Sequence, residues 1–139
     1  MKNDIKSNYT LAASIAAASW AQNVDHSTLG NGIKAGTSVD HANAISASFH
    51  VNAGTFGTSA TLDAKLQYSD DGTTWTDYPA SDEAGNVTRI TQMTAAGAAS
   101  MHVVQARGRY TRPVITVAVA AVVAGVTSVA GPMRHAVPA

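Results

Sequence analysis

The chain contains no cysteine, which excludes disulfides, thiolate metal sites and thiol nucleophiles. Charge is also scarce. Asp, Glu, Lys and Arg make up 13% of the 139 residues, about half the share usual in a globular domain. Nine basic residues balance nine acidic ones, so no net field draws the protein to nucleic acid or to an anionic membrane. Long hydrophobic runs are missing too. The most apolar window, Val114 to Val126, holds 13 residues including Thr116 and Gly125, short of the ~20 a membrane-crossing helix needs. At the N-terminus, MKNDIKSNYTLAASIAAASW sets two lysines before a run of small residues, without the Leu-rich centre of a secretory leader.

What is present is alanine, 27 residues of it, with a polar fraction drawn mainly from Ser, Thr, Asn and Gln. The resulting surface is neutral and suited to being covered by neighbours. The length fits one domain. Its clearest local signal is Leu62 to Tyr78. Leu62, Ala64, Leu66 and Tyr68 alternate with Asp63, Lys65 and Gln67, the period of a half-buried strand. Asp70, Asp71 and Gly72 then form a turn, since Asp bonds its own turn backbone and Gly accepts positive φ. The return strand carries Trp75, expected as the apolar anchor of the hairpin.

Further strands are expected from Ile45 to Val51, stopping at Asn52-Ala53-Gly54, and from Val87 to Met93 after a turn over residues 81–86. Thr94 to Ser100 reads as a loop and Met101 to Tyr110 as a strand, with Arg107 and Arg109 on one face. Arg112-Pro113 interrupts it before a strand from Val114 to Ala121, and Ala124-Gly125 leads to a return over Val126 to Ala130. Residues 1–36 are small, polar and Gly-punctuated, and predict an extended N-terminal arm. Residues 37–139 then form an all-β domain, an antiparallel β-sandwich of jelly-roll or immunoglobulin-like type.

Motifs of chemistry fail on context. Gly30-Asn31-Gly32-Ile33-Lys34-Ala35 has dinucleotide-loop spacing, but neither a buried strand before it nor a helix after it is expected. Asp70-Asp71-Gly72 lacks the further oxygen ligands of a calcium loop. His26, His41, His50, His102 and His135 lie in separate segments. His50 and His102 sit on strands and could meet, yet are expected as ordinary sheet histidines, so no metal, cofactor or catalytic residue is assigned. Arg107, Arg109 and Arg112 with Tyr110 form the one basic-aromatic cluster. It is too small for nucleic acid and fits ion pairing or an acidic partner surface. Tyr9 and Trp20 join these arginines as candidate partner-binding residues, and Trp20, Trp75 and Tyr78 could make a sugar platform.

The segments Tyr68-Ser69-Asp70-Asp71-Gly72-Thr73-Thr74-Trp75-Thr76-Asp77 and Gly108-Arg109-Tyr110-Thr111-Arg112-Pro113-Val114 carry a resemblance. From about Gly36 onward the chain resembles small β-sandwich proteins encoded among tailed-phage head genes. That resemblance implies a non-enzymatic virion protein, a decoration or cement subunit on the outer surface of the phage head. Its implied partners are the major capsid protein and further copies of itself, with no nucleic acid and no membrane. The S-x-D-G-x-x-W turn is also similar to that of discoidin-like modules, which implies carbohydrate binding or a head-fibre base as the alternative. A tail or head-completion component is the third reading.

Overall fold

The alternation of Leu62, Ala64 and Leu66 becomes the buried face of a strand because a pleated chain sends successive side chains to opposite sides. All three are exposed by 2% or less. The computed structural model describes residues 19–42, 44–79 and 87–131, and among them it contains strands and no helix. The strands are β1 (Ser19–Leu29), β2 (Gly32–Ala35), β3 (Val39–Asp40), β4 (Ser46–Phe56), β5 (Thr61–Ser69), β6 (Thr76–Asp77), β7 (Arg89–Met93), β8 (Gly97–Val104), β9 (Tyr110–Ala118) and β10 (Val122–Ala130).

Every pairing is antiparallel. A four-stranded sheet has the order β1-β10-β4-β8, and a six-stranded sheet the order β2-β9-β5-β6, with β3 also on β9 and β7 also on β5. When β2/β3 and β6/β7 are each taken as one broken strand, eight remain, split between two four-deep sheets in the interleaved order of a jelly roll. The sandwich expectation holds, and of its two types the topology is the jelly roll. Phe49, Val51, Met101, Val103, Val122 and Val126 from one sheet meet Leu62, Leu66, Ile115 and Val117 from the other.

Several boundaries differ from the sequence reading. β4 runs through Asn52-Ala53-Gly54 because β10 and β8 flank it on both sides, and pairing outweighs local turn preference. Residues 97–100, read as loop, begin β8 by pairing with β4. The turn expected at Ala124-Gly125 falls instead between Ala118 and Val122, and Gly125 lies inside β10 opposite Asn52. Met101 to Tyr110 is not one strand: β8 ends at Val104, and Arg107 and Arg109 lie in the loop before β9.

Pro113 does not interrupt β9. It pairs with Leu66 of β5 on one side, while its other edge faces the break between β2 and β3, where Gly36 N–H donates to its carbonyl at 2.8 Å. A missing N–H at that break costs no ladder bond. Gly36 is needed for the approach, since a Cβ there would come within 2.9 Å of both the Asn23 carbonyl oxygen and Pro113 Cγ.

The expected arm over residues 1–36 also needs correcting. Residues 19–29 are β1, paired along β10 from Ser19↔Ala130 to Leu29↔Val122, and residues 32–35 are β2, paired with β9. Both belong to the sandwich. Residues 1–18 and the turn expected over residues 81–86 lie outside the described residues.

Candidate functional site

The turn between β5 and β6 and the loop before β9 meet at one end of the sandwich. Ser69 Oγ accepts the N–H groups of Asp71 and Gly72 and donates to the Asp71 carboxylate. Asp71 Oδ1 in turn accepts the N–H groups of Thr73 and Thr74, both at 2.8 Å. Those backbone donors, Thr74 first, hold the Asp71 carboxyl far below its ordinary value. The loop before β9 closes on this turn: a Cβ on Gly108 would lie 2.7 Å from the Ser69 carbonyl oxygen, so only glycine fits. Gly72 adopts φ 78° and sits against the Tyr110 ring, the turn role expected of it.

The arginines at this end are held by the fold. Arg109 grips Asp40 through two bonds of 3.1 Å, from Nε and from a terminal nitrogen, and its guanidinium lies 5.2 Å from the Tyr110 ring centre. The pairing with Arg109 lowers the Asp40 carboxyl below its ordinary value and raises the guanidinium. Both side chains are about half exposed, so solvent screens the pair and it contributes little to stability. Arg107 N–H donates to the Tyr78 hydroxyl at 3.0 Å, and its guanidinium lies 5.9 Å from that ring.

Arg112 is elsewhere, on the outer face of the six-stranded sheet. It donates to Gln67 at 2.9 Å and stacks on the indole of Trp75 at 4.1 Å. Trp75 is therefore not the core anchor. Thr76 pairs with Tyr68 and Asp77 with Gln67, so Asp77 shares the outer face with Gln67 and Lys65, to which it bonds. Trp75, two residues earlier, shares that face. The inward position falls to Tyr78, 3% exposed and edge-on to Tyr68 with ring centres 5.0 Å apart. Of the other candidate partner residues, Tyr9 lies outside the described residues, and Trp20 is placed by its backbone on β1 opposite Val129.

The two outer faces differ in charge. On the six-stranded side, Asp63, Lys65, Asp77 and Arg89 line a shallow groove of about 330 Å³ with Thr91, Val114 and Thr116. On the four-stranded side, the three adjacent strands β10, β4 and β8 contain no Asp, Glu, Lys or Arg. Their outward positions are Val123, Thr127 and Val129, then Ser48, His50 and Asn52, then Ala98, Ser100, His102 and Val104, with Val104 and Val129 exposed by 47% and 44%. Sequence reasoning missed this face, although its signal was present: no charged residue occurs between Asp40 and Asp63 or between Arg89 and Arg107.

No family profile and no curated protein sequence matches the chain. In structure it is similar to the SPBc2 prophage-derived protein YomS, with a TM-score of 0.52 and 7% identity over 81% of this chain and 91% of that one. It is similar also to infectious bursal disease virus, Gx strain, with a TM-score of 0.52 and 12% identity, and to the VP2 subviral particle of that virus, with 0.51 and 13%. Those matches cover 85% of this chain but only 33% and 32% of the viral ones, so it spans about a third of their length. At such identities the likeness is one of fold.

Proposed function

We propose that the protein is a virion structural component, a decoration or cement subunit that docks on the outer surface of a phage head and stabilises the shell. The observation that carries this reading is the charge-free outer face of β10, β4 and β8. Covering such a face desolvates no ion, so burial of Val104, Val129 and the surrounding small side chains is opposed only by modest polar desolvation. Repeated on a fixed lattice, weak contacts of this kind add by multivalency. The jelly roll shared with a prophage-derived protein and with a viral particle chain supports the reading at the level of fold. The partners are the major capsid protein and neighbouring copies, and residues 1–18, which lack a periodic apolar face, serve as an assembly arm.

Particles assembled without the chain should form heads but release DNA at lower temperature, and added purified protein should restore their heat resistance. Attachment should depend little on salt, because few charges are there to be screened. Removing residues 1–18 should leave thermal unfolding unchanged and abolish attachment. Depleted particles that match the wild type under heat and osmotic shock would overturn the cement role. If such particles also failed to adsorb to cells, a second reading would gain: glycan binding, favoured by the placement of Trp75 on the surface beside Gln67 and Arg112, where an aromatic ring and planar polar groups suit a sugar.

A further inference from the structure

Two of the histidines lie on adjacent strands of the charge-free face. Ser48 pairs with His102 across β4 and β8, and His50 pairs with Ser100, so the histidines occupy diagonal positions on one side of the sheet. His102 N–H donates outward to the Val87 carbonyl at 2.7 Å rather than to β4. The Ser48·His102 pair is therefore of the non-hydrogen-bonded kind, in which facing side chains come closest. The right-handed twist of the sheet closes one diagonal of such pairs, and diagonal neighbours at roughly 7–8 Å are within reach of aromatic side chains.

Each imidazole is also oriented. His102 Nδ1 lies 2.8 Å from Ser48 Oγ and His50 Nδ1 2.9 Å from Ser100 Oγ. With each Nδ1–H donating to its serine, the lone pair is on Nε2, and neither Nε2 has a protein partner among the described residues. A metal-binding histidine characteristically uses its second ring nitrogen in this way, as a donor that fixes tautomer and ring orientation.

We propose that His50 and His102 form a surface site for a borderline divalent transition ion such as Zn2+, bound through the two Nε2 atoms at the usual Zn–N length of about 2.0–2.1 Å. No group of three or more metal-binding side chains exists among the described residues, so the chain supplies two ligands and water completes the coordination. Neutral nitrogen donors with no carboxylate beside them among the described residues favour Cu2+ and Zn2+ over Mg2+ and Ca2+. The site rests on β4 and β8 alone, on the same face as the proposed attachment, and is tested on the free chain, where that face is open.

The test is an NMR titration of the full chain with ZnCl2, following the imidazole signals of all five histidines. The His50 and His102 signals should move together and saturate at one ion per chain, with a rise in melting temperature. Cu2+ should bind tighter than Zn2+, and MgCl2 should do nothing. His50→Gln and His102→Gln should each abolish saturable binding, whereas His26→Gln should not. Ser48→Ala and Ser100→Ala should weaken binding by about tenfold or more. Independent titration of the two histidines, saturation centred on His135, an equal response to Mg2+, or full affinity in His50→Gln would each overturn the site. The wild-type titration needs no variant to fold.

Discussion

Replacing Tyr78 should damage the protein far more than replacing Trp75, the reverse of what side-chain size suggests. Tyr78 is 3% exposed and packs edge-on against Tyr68. Truncation to alanine removes a buried aromatic, worth about 3–5 kcal/mol, together with an aromatic pair worth about 0.5–1.5 kcal/mol. Tyr78→Phe keeps the ring and loses only the bond from Arg107 N–H, and because that loop is open to water it should cost about 0.5–1.5 kcal/mol. Trp75→Ala loses the stack with Arg112, about 0.5–1 kcal/mol for a surface cation–π contact, and some covered area on the outer face of the sheet. Urea denaturation followed by far-ultraviolet circular dichroism reads all three without depending on tryptophan emission. The order should be Tyr78→Ala, then Tyr78→Phe and Trp75→Ala close together. A Trp75→Ala variant as destabilised as Tyr78→Ala would refute the register that turns Asp77 and Trp75 outward.

Acid should weaken the hairpin. The folded state holds the Asp71 carboxyl well below its ordinary value of 3.8, so the unfolded chain takes up the proton first as pH falls. The stabilisation is present above 3.8 and lost progressively below it. Asp71→Asn, which still offers an oxygen to Thr73 and Thr74, should flatten the dependence of the urea midpoint on pH in that acid range, and an unchanged slope would sink the argument. Gly36→Ala should cost about 1–3 kcal/mol, since its Cβ meets the backbone of β1 and the ring of Pro113; a neutral result in thermal melts would show that β1 is not anchored there. Thr111 is fully buried with a hydroxyl that has no partner among the described residues, so Thr111→Val should raise the unfolding free energy by about 1 kcal/mol, and a loss would mean that the hydroxyl has a partner in solution.

The parts of this fold legible in the sequence are those whose cause is local. The β5 alternation and the Ser69 to Gly72 turn depend on residues within a few positions of one another, and both stand as read. β1 could not be read this way. Between Gln22 and Leu29 its buried side chains are Asn23 and Val24, and its existence rests on pairing with β10, about a hundred positions away. Trp75 illustrates a different limit. The hairpin was visible, but the face a residue takes depends on register, and a shift of one position exchanges inside for outside. Pro113 was read as a stop because it usually is one; it is tolerated here only because the partner strand on its open edge is broken at Gly36.

The candidate surfaces divide along the same line. Arg107, Arg109 and Arg112 stand out in the sequence as a cluster, yet a run of similar residues along a chain is not a patch on a surface. A loop and a strand separate them, with Arg109 paired to Asp40 and Arg112 stacked on Trp75. The charge-free face is the converse case. Its three strands come from residues 46–56, 97–104 and 122–130, each unremarkable alone, and become one continuous neutral surface only because the jelly roll sets β10 beside β4 and β4 beside β8. His50 and His102 are brought together by the same pairing. At 13% charge the three strands together would carry several charged residues by chance, and β8 is in addition an edge strand of the kind that soluble proteins commonly protect with lysine. Their absence from β8 is consistent with a face that is covered when the protein is at work.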